Sequence, residues 1–222
     1  GIIKHGMLLL IIIIILISCG NDGKNENYKS VKIGTQFWMV ENLNVITFRN
    51  GDTIMEARSS EEWIDASKEN KPAWCYCNND SLNAKKYGKL YNWYAVSDPR
   101  GLAPKGGWYI PSIADCKILV NYSLEHEISE FGNFSGGGRQ VDESWVKRGF
   151  GTKTTGTQPF QGAVREDVLD NSECTDGSIF IWTATEMGGS NAYFVTISKE
   201  GHTGGGNDKK RSGYSIRCIK NY

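Results

Sequence analysis

The chain has 222 residues, with 25 basic and 25 acidic side chains and a formal net charge of zero. Without a basic surplus it has no field to draw in nucleic acid or an anionic membrane surface. Glycine is abundant at 26 residues, beside seven tryptophans and ten tyrosines, a composition of short strands and many turns.

An apolar run from Met7 to Ile17 follows Lys4 and His5 and leads into Ser18 and Cys19. A membrane-spanning helix needs about 20 apolar residues, whereas the apolar core of a signal peptide needs roughly 7–15. A block of isoleucine with no polar face does not suit a soluble amphipathic helix. Leu16-Ile17-Ser18-Cys19 therefore reads as the end of a bacterial lipoprotein signal peptide, residues 1–18. Cys19 then becomes the lipid-bearing first residue of the mature chain and its link to the membrane. The sequence opens on Gly1 rather than Met, so the true start is expected upstream. Residues 19–30 read as a flexible tether, because Gly20–Lys29 holds no large apolar residue before Tyr28 and cannot pack. Asp22 and Glu26 close behind Cys19 resemble acidic export signals of surface lipoproteins in Bacteroidetes.

Residues 31–222 remain as one domain, about 200 residues and long enough for a real core. Val31–Val40 predicts a hairpin turning at Gly34-Thr35-Gln36, with Val31, Ile33, Phe37 and Met39 on its apolar side. Ser59-Ser60-Glu61-Glu62 matches a capping box before Trp63 and Ala66, and the helix should stop before Pro72. Lys85–Val96 predicts a second short helix with Leu90, Trp93, Tyr94 and Val96 on its apolar face. A third opens at Pro111, with Ser112 as N-cap and Cys116, Leu119, Val120 and Leu124 as buried stripe. Residues 132–177 read as a long loop region with a strand near Phe160–Val164. Three strands follow: Ile179–Thr185, Ala192–Ser198 and Tyr214–Lys220. Lys199-Glu200-Gly201-His202 turns the chain back, and Lys209-Lys210-Arg211 reads as a solvated loop.

Several segments resemble one family in order. Val31-Lys32-Ile33-Gly34-Thr35-Gln36-Phe37-Trp38-Met39-Val40-Glu41-Asn42-Leu43-Asn44 is similar to the opening of the Fibrobacter succinogenes major paralogous domain. Tyr87-Gly88-Lys89-Leu90-Tyr91-Asn92-Trp93-Tyr94-Ala95-Val96 resembles its second motif. Pro104–Ser112 resembles its central motif with one extra Gly, and Trp182–Glu186, Asn191–Tyr193 and Gly213–Cys218 resemble its closing strands. The resemblance covers nearly all of residues 31–222. It implies a lipoprotein of the Bacteroidetes and Fibrobacteres type and an α+β, C-type-lectin-like fold. Such a fold has two or three short helices, short twisted antiparallel strands and a long loop region. The chain departs from the family at Ala103, where a cysteine is common, and at Cys116, where a tryptophan is common. The usual partner of Cys218 is thus absent, and Cys116–Cys218 is the candidate substitute disulfide.

Apart from Cys19 there are five cysteines, and an odd count leaves at least one thiol free or intermolecular. Cys75 and Cys77 would share one strand face and are poorly placed to bond each other. Their spacing is also too close for a zinc knuckle. Gly188-Gly189-Ser190-Asn191-Ala192 lacks the second Gly of a nucleophile elbow. Gly101 and Gly106 do not lead into a phosphate-binding loop. His126-Glu127-Ile128-Ser129-Glu130 lacks the second His of a zincin helix, and His202 reads as solvated. Glu166, Asp167, Asp170, Glu173 and Asp176 crowd one loop, where carboxylates could hold calcium. The sugar-chelating triplets of calcium lectins are missing, so a solvated acidic loop with no cofactor is the preferred reading. Trp38, Trp93, Trp108 and Trp182 lie in apolar segments and predict core packing. Trp63, Trp74 and Trp145 have more polar neighbours and are the surface candidates. Glu186 ends a strand with no carboxylate partner in view. Asp52-Thr53-Ile54 and Asp80-Ser81-Leu82 resemble the O-glycosylation pattern of Bacteroidetes, with Thr53 and Ser81 as acceptors.

The expected role is a non-catalytic binding or adhesion module, lipid-anchored to the outer membrane and facing outward. Loops near 130–177 and 199–212, including Trp145, Glu166, Asp167, Asp170 and Asp176, would meet a glycan or surface protein. A structural or accessory subunit of an envelope complex is the alternative. A cysteine-dependent enzyme using Cys116 or Cys174 comes third.

Overall fold

The structure is a computed structural model that describes residues 28–125, 161–164, 173–174, 178–198 and 203–221. The leader, Cys19, Trp145, Glu166, Asp167, Asp170, Asp176, His126 and His202 lie outside the described residues.

The first strands form the expected hairpin. β1 (Ser30–Ile33) and β2 (Gln36–Met39) run antiparallel with Ile33 opposite Gln36. Gly34 takes the turn at φ 57, a left-handed conformation that costs glycine little. Successive strand side chains face opposite ways, and both Trp38 and Met39 are buried. Met39 joins a core with Leu43, Tyr91 and Trp182. Trp38 joins a second core with Ile33, Leu119 and Ile197. β2 therefore divides the two.

The chain continues through β3 (Met55–Glu56), α1 (Ser60–Lys68), β4 (Ala73–Cys75) and α2 (Ala84–Tyr87). Then come β5 (Leu90–Asn92), α3 (Trp93–Val96), α4 (Ile113–Glu125), β6 (Gln161–Val164) and β7 (Glu173–Cys174). The last strands are β8 (Ser178–Gly188), β9 (Asn191–Ser198), β10 (Thr203–Lys209), β11 (Gly213–Tyr214) and β12 (Ile219–Asn221). β1-β2-β12 make a small sheet. The large sheet runs β10-β9-β8-β6-β11-β5-β4-β3, with β7 beside β6. Its pairs are antiparallel except β3–β4 and β6–β8. Helices and sheets are both present, an α+β build in which strands dominate the described residues.

Two helix starts follow their capping signals. The Ser59 side chain accepts from the Glu62 N–H, and the Glu62 carboxylate reaches back to the Arg58 N–H. The Ser112 Oγ accepts from the Asp115 N–H, while Asp115 accepts from the Ser112 N–H at 2.8 Å. Each cap satisfies donors that the first turn leaves open.

Three expectations need correction. The predicted helix over Lys85–Val96 splits into α2, β5 and α3. Gly88 turns the chain at φ 69, and a Cβ there would lie 2.6 Å from the Leu43 carbonyl oxygen. Asn92 then ends the strand by accepting from the Ala95 N–H, which starts α3. Residues 203–209, read as loop, are β10, with Gly205 opposite Val195 and Gly206 opposite Phe194. A Cβ on Gly205 would lie 2.8 Å from the Phe194 carbonyl oxygen, so the glycines permit a close strand approach. The single strand expected over Tyr214–Lys220 is two short ones in different sheets, β11 and β12.

Tryptophans cross-link these elements. Trp182 Nε1 donates to the Tyr91 carbonyl, Trp93 Nε1 to Thr183, Trp74 Nε1 to Ile54 and Trp63 Nε1 to Arg211. Trp38 Nε1 donates to the Gln36 side chain. A buried indole N–H without an acceptor would cost about 1–3 kcal/mol, so each bond fixes a ring orientation as well as filling volume.

Candidate functional site

Among the described residues, a polar arrangement gathers where β8 turns into β9. Gly188 at φ 113 and Gly189 at φ 56 reverse the chain there. The end of β10 returns beside this turn, because the Lys210 N–H donates to the Ser190 carbonyl. The Lys210 ammonium donates to the Gly189 carbonyl at 2.8 Å and to the Glu186 carboxylate. It also lies 5.0 Å from the centroid of the Trp93 ring. Asn191 Nδ2 donates to Asn207 Oδ1 at 2.8 Å, and Lys209 Nζ donates to Ser190 Oγ. Met187 is half exposed beside them.

The base beneath is aromatic. Tyr214 stacks on Phe180 at 5.5 Å between centroids and meets Trp182 at 4.5 Å and Phe194 at 5.1 Å. Its hydroxyl donates to Asp208 Oδ2. Such ring contacts are worth about 0.5–1.5 kcal/mol each beyond burial. They hold the strands that carry Glu186, Asn191 and Asn207. The cluster thus offers a carboxylate, two amides, a hydroxyl and two ammonium groups on a fixed support. That set can hydrogen-bond a polyhydroxylated or peptide-like ligand.

Several predicted positions fall elsewhere. Lys209-Lys210-Arg211 is no free solvated run. The Lys210 side chain is only 13% exposed, and the Arg211 carbonyl accepts from Trp63. Glu186 finds Lys210 as its partner, a lysine that the intervening strands bring back to it. Trp63 and Trp74, expected at the surface, are 1% and 3% exposed. Glu61 and Glu62 are exposed beside Trp63 on α1, whereas β4 is buried at Ala73, Trp74 and Cys75 alike. Trp38, Trp93, Trp108 and Trp182 are buried, as their apolar surroundings predicted.

The candidate bridge Cys116–Cys218 is not formed, since both are free thiols. Cys218 belongs to the first core and Cys116 to the second. Ile219, next to Cys218, packs in the second core while Cys218 packs in the first. Burial pushes both thiols up to about 12, and raises that of Cys75 further. Cys75 is likewise free.

Thr53 and Ser81 are exposed, on a loop bridge and in a 3-10 turn. Beside Thr53, Asp52 accepts from Arg100, which also donates twice to Asp98 at 2.8 Å and lies 4.1 Å from the Phe48 centroid. Hydrogen bonds from Arg100 hold the Asp98 carboxyl below its usual range. Of the acidic cluster, only the backbone of Glu173 is described, in β7. Among the described residues no group of three or more His, Cys, Asp or Glu could hold a metal ion.

Sequence reading missed two buried cations. Lys89 is 4% exposed, donates to the Asn44 side-chain and backbone oxygens, and lies 4.6 Å from the Trp74 centroid. Burial pulls its pKa down. Arg217 is 3% exposed and donates to Asn42 Oδ1, and burial lowers its pKa to about 10. Nothing in the local pattern distinguishes these charges from surface ones.

The family described as the Fibrobacter succinogenes major domain matches residues 31–220. Comparison with curated proteins and with solved structures returned no match.

Proposed function

The chain belongs to the Fibrobacter succinogenes major domain family, and from that premise we propose that it is a non-catalytic binding module of the cell envelope. In this reading Cys19 carries the lipid that anchors it to the outer membrane, facing outward. The domain takes a C-type-lectin-like role toward a glycan or surface protein. The observation that carries the reading is the polar hairpin end where the exposed Glu186 and Asn207 meet the partly buried Asn191 and Lys210. Its groups are hydrogen-bond donors and acceptors held in place, which suits recognition. The leader pattern ending at Cys19 supports the anchor, and no helix among the described residues is long and apolar enough to cross a membrane.

The test is a glycan array together with a cell-surface protein pull-down, using the full chain and a Glu186→Gln/Asn191→Ala variant. The expected result is a ligand captured by the parent and lost by the variant. Two empty assays, or a ligand that the variant retains, would overturn the assignment to this surface. For the anchor, radiolabelled fatty acid should enter the parent chain and not Cys19→Ala, and the variant should leave the membrane fraction. Equal labelling of both removes Cys19 as the lipid site.

A further inference from the structure

Cys77 opens the 3-10 turn Cys77–Asn79 that follows β4, and it is disulfide-bonded. Cys75, Cys116 and Cys218 are free. Of the six cysteines, that leaves Cys19 and Cys174 as partners. Cys19 belongs to the leader boundary, where the reading above gives its sulfur to a lipid. Cys174 ends β7, which pairs with β6 so that Cys174 stands opposite Gln161. The backbone of β7 packs against the turn that begins at Cys77. We infer that Cys77 and Cys174 form a disulfide that ties the end of β7 to the turn after β4.

The remaining cysteines are arranged to leave this pairing alone. Cys75 and Cys218 are fully buried and Cys116 is 2% exposed. Their raised pKa values keep the reactive thiolate scarce. In forming the bond, Cys77 and Cys174 each lose a proton and an electron. A disulfide-bearing oxidant accepts both electrons and both protons by thiol–disulfide exchange and leaves as a dithiol. Such a bond persists in an oxidising compartment. It closes the chain from 77 to 174 into a ring.

The experiment is peptide mapping of the full chain, purified from its host's membranes, denatured and alkylated without reductant. A cross-linked pair of Cys77 and Cys174 peptides is expected, which separates on reduction with a gain of two hydrogens. Cys75, Cys116 and Cys218 should all carry the alkyl label. Alkylated Cys77, or Cys77 linked to any other cysteine, overturns the pairing. In Cys174→Ser the block on Cys77 should be lost; a Cys77 that stays blocked there also overturns it. The inference goes beyond the binding role and fails separately from it. An empty ligand screen leaves the cross-link in place, and an absent cross-link leaves the screen unaffected.

Discussion

Lys89 and Lys210 each hold an ammonium over an indole, at 4.6 Å from the Trp74 centroid and 5.0 Å from that of Trp93. Lys89 is covered by the fold, and its hydrogen bonds go to neutral oxygens of Asn44. Lys210 sits at the hairpin end and shares its charge with the Glu186 carboxylate, whose side chain is 50% exposed. The same cation–ring geometry therefore serves two ends. At Lys89, desolvation is offset by dipoles and a ring face, and the result is an internal strut joining Asn44 to Trp74. At Lys210, a carboxylate that water also reaches can exchange its partner for a ligand. In the proposed reading, the surroundings decide between structure and recognition.

Removing the strut should have the largest effect. Lys89→Ala leaves a void beside Trp74 and removes the donor to Asn44, at a cost of about 2–4 kcal/mol in urea unfolding. A cost under about 1 kcal/mol would place Lys89 in the same class as Lys210. Lys89→Met keeps the stem and discards the charge, so it should cost less, about 1.5 kcal/mol or under. That variant also isolates a pH effect. The folded pKa of Lys89 lies below its unfolded value, so the unfolded chain binds the extra proton. Stability should then rise with pH from the folded value up to about 10.4. The rise should shrink in Lys89→Met, and an unchanged slope would assign it to another group.

Lys210→Ala should shift stability by about 1 kcal/mol or less. Its effect should appear in ligand capture instead, read on the same arrays as the hairpin-end variant. The smallest change is expected at the Arg100 cluster. Asp98 is held below its usual range by Arg100, so its contribution is full above the unfolded value near about 3.9 and is lost as pH falls through the folded one. Asp98→Asn should flatten the acid limb of the stability curve slightly; a steeper limb would contradict the pairing.

What the sequence revealed follows the range of each interaction. Ser59 and Ser112 cap helices through partners three residues away, and both starts were legible. The β1–β2 hairpin was legible for the same reason. Gly204 to Gly206 read as loop because glycine lacks strand propensity. Their reason for being in a strand lies across the ladder, at Val195 and Phe194. Trp63 and Trp74 looked exposed because their burial comes from distant segments, with the Trp63 indole reaching Arg211. The hairpin-end site is half visible in the sequence: Glu186 and Lys210 each stand out, but only the return of β10 brings them together. The bridge expected from Cys116 to Cys218 is not formed because the fold buries them in separate cores.

The central strand of the small sheet has one further consequence. β2 pairs with β1 on one edge and with β12 on the other, where Ile219 stands opposite Trp38. β2 thus needs β12, far along the sequence, before its ladder is complete. Closing contacts across so much sequence is slow and comes late in folding. The small sheet therefore completes only when β12 docks on β2, and a chain cut just before Ile219 would leave Trp38 without its partner across that edge.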